Sequence, residues 1–85
     1  FSFNDLGALG LLDALLDRGV RVPEDVAVVG LDDIPAAARA RVPLTTVHQA
    51  TDRIGALAVD TIVARLRGET PAPPVRRLLA PQLVV

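Results

Sequence analysis

The feature that most constrains the fold of this chain is the segment of residues 22–33, whose sequence is Val-Pro-Glu-Asp-Val-Ala-Val-Val-Gly-Leu-Asp-Asp. After a turn that contains proline, residues 26–31 are apolar at nearly every position, which is typical of a strand covered on both faces. This strand would deliver Asp32 and Asp33 to its carboxyl end. Ligands of open α/β sheets bind at that edge, so the segment predicts both a fold class and the place of a site.

Two long helices are predicted from the spacing of apolar residues and from residues that favour helix ends. The first covers residues 5–18, follows Asn4 as its N-cap and ends at the next glycine. The second covers residues 51–67, with Thr51 or Asp52 as its N-cap.

Shorter elements are expected between and after these helices. A short helix is predicted at residues 35–40, with Asp33 as its cap and a proline in its first turn. Residues 44–47 are β-prone, and further short strands are expected at 75–79 and 83–85, after a proline-rich connector. This order of helices and strands favours an α/β fold with a largely parallel sheet.

Composition narrows the possible classes of protein. The chain has 85 residues, 51% of them hydrophobic, and no cysteine, so it predicts at most one small domain without disulfides or thiolate metal sites. We expect no membrane span and no signal peptide. The net charge is −1 and the arginines are scattered, unlike a surface that follows nucleic-acid phosphates. Because the chain begins with Phe1 and ends in apolar residues, we expect a longer parent protein.

The best candidates for a binding site are Asn4 and Asp32, because each directly follows an apolar strand-like stretch. Both should project from one edge of the sheet, where an amide and a carboxylate suit the hydroxyls of a sugar-like ligand. The alternative is that both are ordinary helix N-caps. The spacing alone leaves both interpretations open.

Catalytic, metal and nucleotide sites are not supported by the pattern. Asp32 and Asp33 are adjacent, so their side chains should diverge, and no further ligand stands at metal-binding spacing. His48 is the only histidine and has no cysteine or serine partner at a recognisable spacing. The glycines form neither of the phosphate-binding fingerprints. We therefore predict no cofactor, no metal and no enzymatic activity.

The first predicted helix has an apolar arc of roughly 160°, which is wider than one sheet face usually requires. Contact with a second subunit would explain this width, as would deep burial of the helix within its own domain. The pattern does not decide between them.

Four motifs follow one another along the chain. They are Asn-Asp leading into Ala-Leu-Gly at residues 4–10, the segment of residues 19–33, Pro-Leu-Thr-Thr-Val-His-Gln at 43–49, and Gly-Ala-Leu-Ala at 55–58. In this order they resemble the C-terminal part of the ligand-binding domain of the lactose-repressor (LacI/GalR) family of bacterial transcription regulators.

The resemblance implies a periplasmic-binding-protein-like fold of type I, a doubly wound parallel sheet of which this chain is an incomplete fragment. Residues 1–47 would be part of the C-terminal effector-binding subdomain. Residues 48–78 would form a crossover, near His48 and Gln49, and a helix of the N-terminal subdomain. Residues 79–85 would form a strand that returns to the C-terminal subdomain. The DNA-binding domain and the first half of both subdomains would lie outside the chain.

Roles for single residues follow from the same resemblance. The positions that match Asn4 and Asp32 hydrogen-bond the effector in the family. The family's dimer surface is matched by four apolar residues, namely Leu9, Leu12, Ala36 and Ala40.

Two positions depart from the family pattern. Leu31 stands where an aromatic residue often precedes the two aspartates, which weakens any inference that an aromatic ring stacks on a sugar here. Val42 precedes Pro43 where the family usually has two prolines, which bears on the turn into the crossover.

The sequence thus predicts the effector-binding and dimerisation part of a LacI-type regulator, with a small effector of the sugar class. The protein would be a cytoplasmic homodimer that reaches operator DNA only through the missing N-terminal domain. A sugar-binding protein of a transport system shares this core and is the alternative, and a doubly wound α/β enzyme is a third hypothesis. An upstream helix-turn-helix, an upstream signal peptide or measurable turnover would separate the three.

Overall fold

The computed structural model describes residues 1–69 and 76–85, and the chain divides into two compact units. Unit 1 comprises Phe1–Gln49 and Pro81–Val85, and unit 2 comprises Ala50–Ala80. Unit 1 holds helix α1 (Asp5–Asp17), a 3₁₀-helix (Ala37–Arg39) and strands β1 (Thr46–His48) and β2 (Gln82–Val84). Unit 2 holds helix α2 (Thr51–Leu66).

Parallel hydrogen bonding in unit 1 places three chain segments side by side. Residues 2–5 bond to residues 29–31, and residues 30–32 bond in turn to residues 45–47. The amides of Ser2 and Asp5 donate to the carbonyls of Val29 and Leu31 at 2.8 Å, and those of Gly30 and Asp32 donate to Thr45 and Val47 at 2.9 Å. The predicted parallel arrangement is therefore present in this part of the chain.

The predicted strand of residues 26–31 joins this sheet only in its second half. Val26 is 41% exposed, and its amide donates to the carbonyl of Arg21 at 3.2 Å inside the preceding turn. The chain first meets a sheet partner at Val29. The prediction of a strand covered along its whole length is wrong at its start, because the turn holds that part away from the sheet.

Helix α1 begins and ends close to where its sequence predicts. Asn4 is its N-cap, and the chain leaves the helix through Arg18 and Gly19, which has a φ of 77°. The amide of Val20 then donates to the carbonyl of Leu15 at 3.0 Å, which satisfies one of the carbonyl groups left open at the helix end.

The core of unit 1 lies between α1 and the sheet segments. Its buried apolar residues are Ala8, Leu12, Val28, Ala37 and Leu44, and the partly buried Leu9, Leu15, Val22 and Ile34 pack against this core. Leu11 on α1 is 45% exposed, so unit 1 covers only part of the wide apolar arc. Deep burial of the whole arc within unit 1 is therefore not what the structure shows.

The short helix predicted at residues 35–40 is a single 3₁₀ turn at Ala37–Arg39. Its N-cap is Ala36, and no side chain caps it. The carbonyl of Ala37 accepts the amide of Leu44 at 2.9 Å, which ties the turn to the start of the next sheet segment. The prediction that Asp33 caps this helix is wrong.

Helix α2 has the predicted extent to within one residue, but neither predicted cap. Its N-cap is Ala50, in the left-handed region with a φ of 49°, and no side chain caps the helix. Thr51 and Asp52 instead lie within its first turn. None of the residues of α2 is buried.

Of the two strands predicted at residues 75–79 and 83–85, the described part of the structure shows only the second. Residues 76–80 form no regular strand, while residue 75 and most of the proline-rich connector lie outside the described residues. The second predicted strand is present as β2, but it pairs antiparallel with β1, so that Thr46 lies opposite Val84. Within residues 1–69 and 76–85, no helix combines the length and apolarity needed to cross a membrane.

Candidate ligand-binding site

Asn4 and Asp32 lie at the same edge of the sheet in unit 1. The amide of Asp5 donates to the carbonyl of Leu31 at 2.8 Å, so the two candidate residues flank one backbone hydrogen bond between neighbouring parallel segments. Both residues are half-buried. The sheet thus brings an amide and a carboxylate to the carboxyl ends of adjacent segments.

Asn4 acts as a helix cap and still has an amide group to offer. Its Oδ1 accepts the amide of Gly7 at 2.7 Å, which confirms the predicted capping role. Among the described residues, no hydrogen bond uses its Nδ2. An Asn side chain can cap through oxygen and donate through nitrogen at the same time, so the capping and ligand-binding interpretations are compatible.

Asp32 is held by its backbone and by one carboxylate oxygen, and it caps no helix. Its amide donates to the carbonyl of Val47 at 2.9 Å, and its Oδ1 accepts Nε2 of Gln49 at 2.8 Å. Within the described part of the chain, Oδ2 takes part in no hydrogen bond. The alternative that Asp32 is an ordinary N-cap does not hold.

The backbone at Asp32 and Asp33 adopts an unusual conformation, with φ values of 121° and 59°. A left-handed conformation is tolerated by aspartate better than by most residues, but the φ of Asp32 is rare for any side chain. Such a conformation costs about 1–3 kcal/mol and persists only where surrounding contacts fix it, often at functional sites.

Asp33 turns towards β1 instead of towards the 3₁₀-helix. Its Oδ2 lies 3.0 Å from Nδ1 of His48, and both side chains are partly exposed. This partner explains why Asp33 does not cap the following turn. Among the described residues, no group of three or more candidate ligands could hold a metal ion.

A feature next to the candidate site that sequence reasoning missed is the buried carboxylate of Asp5. Asp5 and Thr46 are both 0% exposed, and Thr46 donates its hydroxyl to Oδ1 of Asp5 at 2.6 Å. Oδ2 of Asp5 accepts the amide of Ile34 at 2.9 Å. One signal was available, because alternation along residues 44–48 turns Leu44 and Thr46 to the same side, and a buried hydroxyl requires a partner.

Gly30 provides the space for this carboxylate. A Cβ atom on Gly30 would overlap Oδ1 of Asp5 and would lie 3.1 Å from Cδ2 of Leu44. Because Gly30 has no side chain, the start of α1 can approach the sheet closely at this point.

Of the residues predicted to form a dimer surface, three lie at the surface and one does not. Leu9, Ala36 and Ala40 line an open surface cavity of about 730 Å³, together with charged residues that include Asp13 and Arg41. Leu12 is only 1% exposed and is part of the core of unit 1, so it has almost no surface for a partner.

The predicted crossover residues lie at the end of unit 1. His48 is the last residue of β1, Gln49 follows it, and unit 2 begins with Ala50. The chain enters unit 1 again at Pro81. The assignment of the units to subdomains of a larger protein remains a prediction.

Comparison with known proteins places this geometry in a family. A model of the periplasmic binding protein-like domain matches residues 1–85. The HTH-type transcriptional repressor PurR of Vibrio atlanticus (strain LGP32) is 45% identical over 67 residues, which are 79% of this chain and 20% of that protein. The chain thus spans about a fifth of the length of this curated relative.

Solved structures give the same result for the fold. The transcriptional regulator CelR in complex with cellobiose matches with a TM-score of 0.92 and 44% identity, over 98% of this chain and 25% of that one. A lac repressor dimer bound to operator and the anti-inducer ONPF matches with a TM-score of 0.86 and 35% identity, over 98% and 28%. The predicted fold class is confirmed, and the chain belongs to the family of periplasmic binding protein-like domains and corresponds to part of the effector-binding domain of LacI/GalR-family transcriptional regulators.

Proposed function

We propose that this chain is the effector-binding and dimerisation part of a LacI-type regulator, and that Asn4 and Asp32 bind the effector. The proposal rests on the hydrogen bonding of the two carboxylate oxygens of Asp32. Gln49 holds one carboxylate oxygen at 2.8 Å, while the other has no partner among the described residues. The carboxylate is thereby oriented and remains able to accept a hydrogen bond from a ligand.

The chemistry of the edge suits a polyhydroxylated ligand. A sugar hydroxyl can donate to Oδ2 of Asp32, and a second hydroxyl can accept from Nδ2 of Asn4. Hydrogen bonds to a charged group stabilise a complex by about 1.5–3 kcal/mol each. The cellobiose bound to the structural relative CelR supports the sugar class.

The regulatory effect would come from unequal affinity of the effector for two states of the regulator. A ligand that binds one state more tightly shifts the population towards it, and DNA binding shifts ligand affinity by the same factor in return. We propose that DNA is contacted only through a separate N-terminal domain, because the arginines of this chain are scattered. A regulator of this kind would act in the cytoplasm, as a binding protein and not as an enzyme.

We propose a homodimer whose contact surface includes the cavity lined by Leu9, Ala36 and Ala40. The cavity is open and mainly apolar in its lining. The lac repressor structure that matches 98% of this chain is a dimer, which supports the proposal of a homodimer.

The proposed function is tested by titrating the intact regulator with cellobiose, glucose, sucrose and ribose in a calorimeter. For any sugar that binds, Asp32→Ala should weaken the affinity at least about tenfold, since it removes a charged hydrogen-bond acceptor. Asn4→Ser should also weaken binding but leave the melting temperature nearly unchanged, because serine preserves the helix cap and lacks the amide donor.

A matched control is Asp52→Ala, which removes a carboxylate from the first turn of α2. It should leave sugar affinity at the wild-type value. Unchanged affinity in both Asp32→Ala and Asn4→Ser would exclude these residues from the site, and failure of all four sugars to bind would contradict the sugar class.

A further inference from the structure

We propose that Asp5 and Thr46 are positioning residues that hold Asp32 in its ligand-binding orientation without touching the ligand. The inference rests on the proposed function, because it assumes that Asp32 contacts the effector. It adds two buried residues whose task is to fix the backbone of the turn that follows Asp32.

Each oxygen of the buried carboxylate of Asp5 accepts a hydrogen bond within unit 1. Its Oδ1 accepts the hydroxyl of Thr46 and its Oδ2 accepts the amide of Ile34, at 2.6 and 2.9 Å. A buried carboxyl group without such partners would cost free energy, so these hydrogen bonds hold the side chain in place. Asp5 also lies in the first turn of α1, where the helix dipole favours negative charge.

Thr46 extends this network to the residue next to Asp32. Its hydroxyl donates to Asp5 and accepts the amide of Asp33 at 3.3 Å. Two successive amides after Asp32, those of Asp33 and Ile34, are therefore held from the buried side. The amide of Asp32 itself is held by the carbonyl of Val47.

These contacts fix a backbone that would otherwise relax. Asp32 and Asp33 both have positive φ values, of 121° and 59°, and such conformations persist only under constraint. If the amides of Asp33 and Ile34 lost their partners, the turn would move towards ordinary φ values. The carboxylate of Asp32 would then leave Nε2 of Gln49, and the ligand would lose a preorganised acceptor.

The close approach at Gly30 keeps the network rigid. A Cβ atom there would overlap Oδ1 of Asp5, and the amide of Gly30 donates to the carbonyl of Thr45 at 2.9 Å. The carboxylate thus lies directly over a fixed backbone, so a small change at Asp5 or Thr46 is transmitted to the turn.

The competing explanation is that Asp5 and Thr46 only stabilise the core. The NMR signal of the Gln49 side-chain amide distinguishes the two explanations. The signal depends on whether the carboxylate of Asp32 accepts a hydrogen bond from this amide, and it can be measured without a ligand. Its NMR signal in the nitrogen-15-labelled intact regulator is assigned by its loss in Gln49→Glu. Asp32→Ala provides the reference position for an amide without its acceptor.

We expect Thr46→Val, which removes the hydroxyl and keeps the shape, to move the Gln49 signal towards its position in Asp32→Ala. Hydrogen exchange of this amide should accelerate roughly tenfold, as for the loss of about 1.4 kcal/mol of hydrogen bonding. Thr46→Ser should leave the signal in place. Thr45→Val is the matched control, since the neighbouring hydroxyl makes no side-chain hydrogen bond to the described residues.

If Thr46→Val does not fold, Asp5→Asn gives the same measurement, because it keeps the shape of the side chain and exchanges one acceptor for a donor. A Gln49 signal that stays at its wild-type position in a folded Thr46→Val or Asp5→Asn protein would overturn the inference, even if the melting temperature falls. The proposed function fails separately, if Asp32→Ala retains wild-type affinity for cellobiose or another sugar that binds.

Discussion

Single residues in unit 1 have roles that their residue type alone does not reveal. Gly30 lies two residues before Asp32 and is the point where the carboxylate of Asp5 meets the sheet backbone. Gly10, in contrast, lies on α1 with no atom within 4 Å of the place where a Cβ would stand. The two glycines should therefore respond in opposite directions to the same substitution.

Gly30→Ala should destabilise the protein by about 1–3 kcal/mol, since the added methyl group forces Asp5 or the backbone to move. Gly10→Ala should stabilise it by up to about 1 kcal/mol, because alanine is the better helix former and has room. Urea unfolding of both variants measures the difference. Equal effects of the two substitutions would contradict the close contact at Gly30.

Arg21 and Asp25 form a local ion pair on the surface of unit 1. Nη2 of Arg21 lies 2.6 Å from Oδ1 of Asp25, and Nε of Arg21 donates to Oδ2 at 3.0 Å. The side-chain hydrogen bonds from Arg21 lower the pKa of Asp25 below its ordinary value, and the hydrogen bond from the backbone amide of Arg21 makes a smaller contribution in the same direction. Because the folded pKa is depressed, the stabilisation is present above the ordinary aspartate pKa and is lost as the pH falls through the folded value.

Arg21→Gln should raise the pKa of Asp25 towards its ordinary value and weaken the acid dependence of stability in that range. Carbon-13 NMR of the Asp25 carboxyl group during a pH titration measures this change. Arg18→Gln is the control, because the guanidinium of Arg18 donates to the carbonyl of Ala14 and not to Asp25. A pKa for Asp25 that is the same in all three proteins would show that Arg21 has no influence on it.

Among the elements, α1 is the one whose start also forms part of the candidate site. Asn4 caps the helix through Oδ1, and Asp5 contributes the buried carboxylate. A change at Asn4 can therefore affect helix stability and ligand binding through different atoms.

Asn4→Ala should lower the free energy of unfolding by about 1 kcal/mol, because the amide of Gly7 loses its cap. Asn4→Ser should recover most of that stability. Thermal unfolding followed by circular dichroism compares the two variants. If both lose the same stability, the hydrogen bond from Gly7 contributes little to the helix.

The sequence predicts best those elements whose causes are local. The bounds of α1 follow from a capping asparagine, apolar spacing and a terminal glycine, all within one short segment. The extent of the strand at residues 26–31 is different, because a strand ends where its partners end, and Val26 has none in the sheet. Periodicity cannot show where a preceding turn withholds residues from the sheet.

The candidate site shows the same limit. The edge that carries Asn4 and Asp32 was predictable from apolar runs that end in polar residues. The partners of those residues were not, since His48 lies 15 positions from Asp33, and Thr46 lies 41 positions from Asp5. A cap predicted for Asp33 failed because this distant partner competes for its carboxylate.

At the scale of the whole molecule, the open cavity on unit 1 is the surface on which the proposed dimer depends. Ala36 lines this cavity, whereas Ala38, two positions further, is exposed and is not part of the lining. The two alanines therefore allow a charge to be placed inside or outside the proposed contact.

Ala36→Glu in the intact regulator should raise the dimer dissociation constant roughly a hundredfold, because removing the added carboxylate from water in the contact costs about 3 kcal/mol. Ala38→Glu should leave it nearly unchanged. Sedimentation equilibrium across a range of concentrations gives both constants. If Ala36→Glu remains as dimeric as Ala38→Glu, the dimer uses another surface.

Helix α2 has no buried residue, and it turns Ile54, Val59, Ile62 and Leu66 towards water. Association that removes these apolar side chains from water is favourable, and sulfate or phosphate ions make it more favourable. Preparations of these 85 residues by themselves should therefore scatter light increasingly as ammonium sulfate is added. Purification in low concentrations of weakly salting-out buffers would keep the polypeptide dispersed.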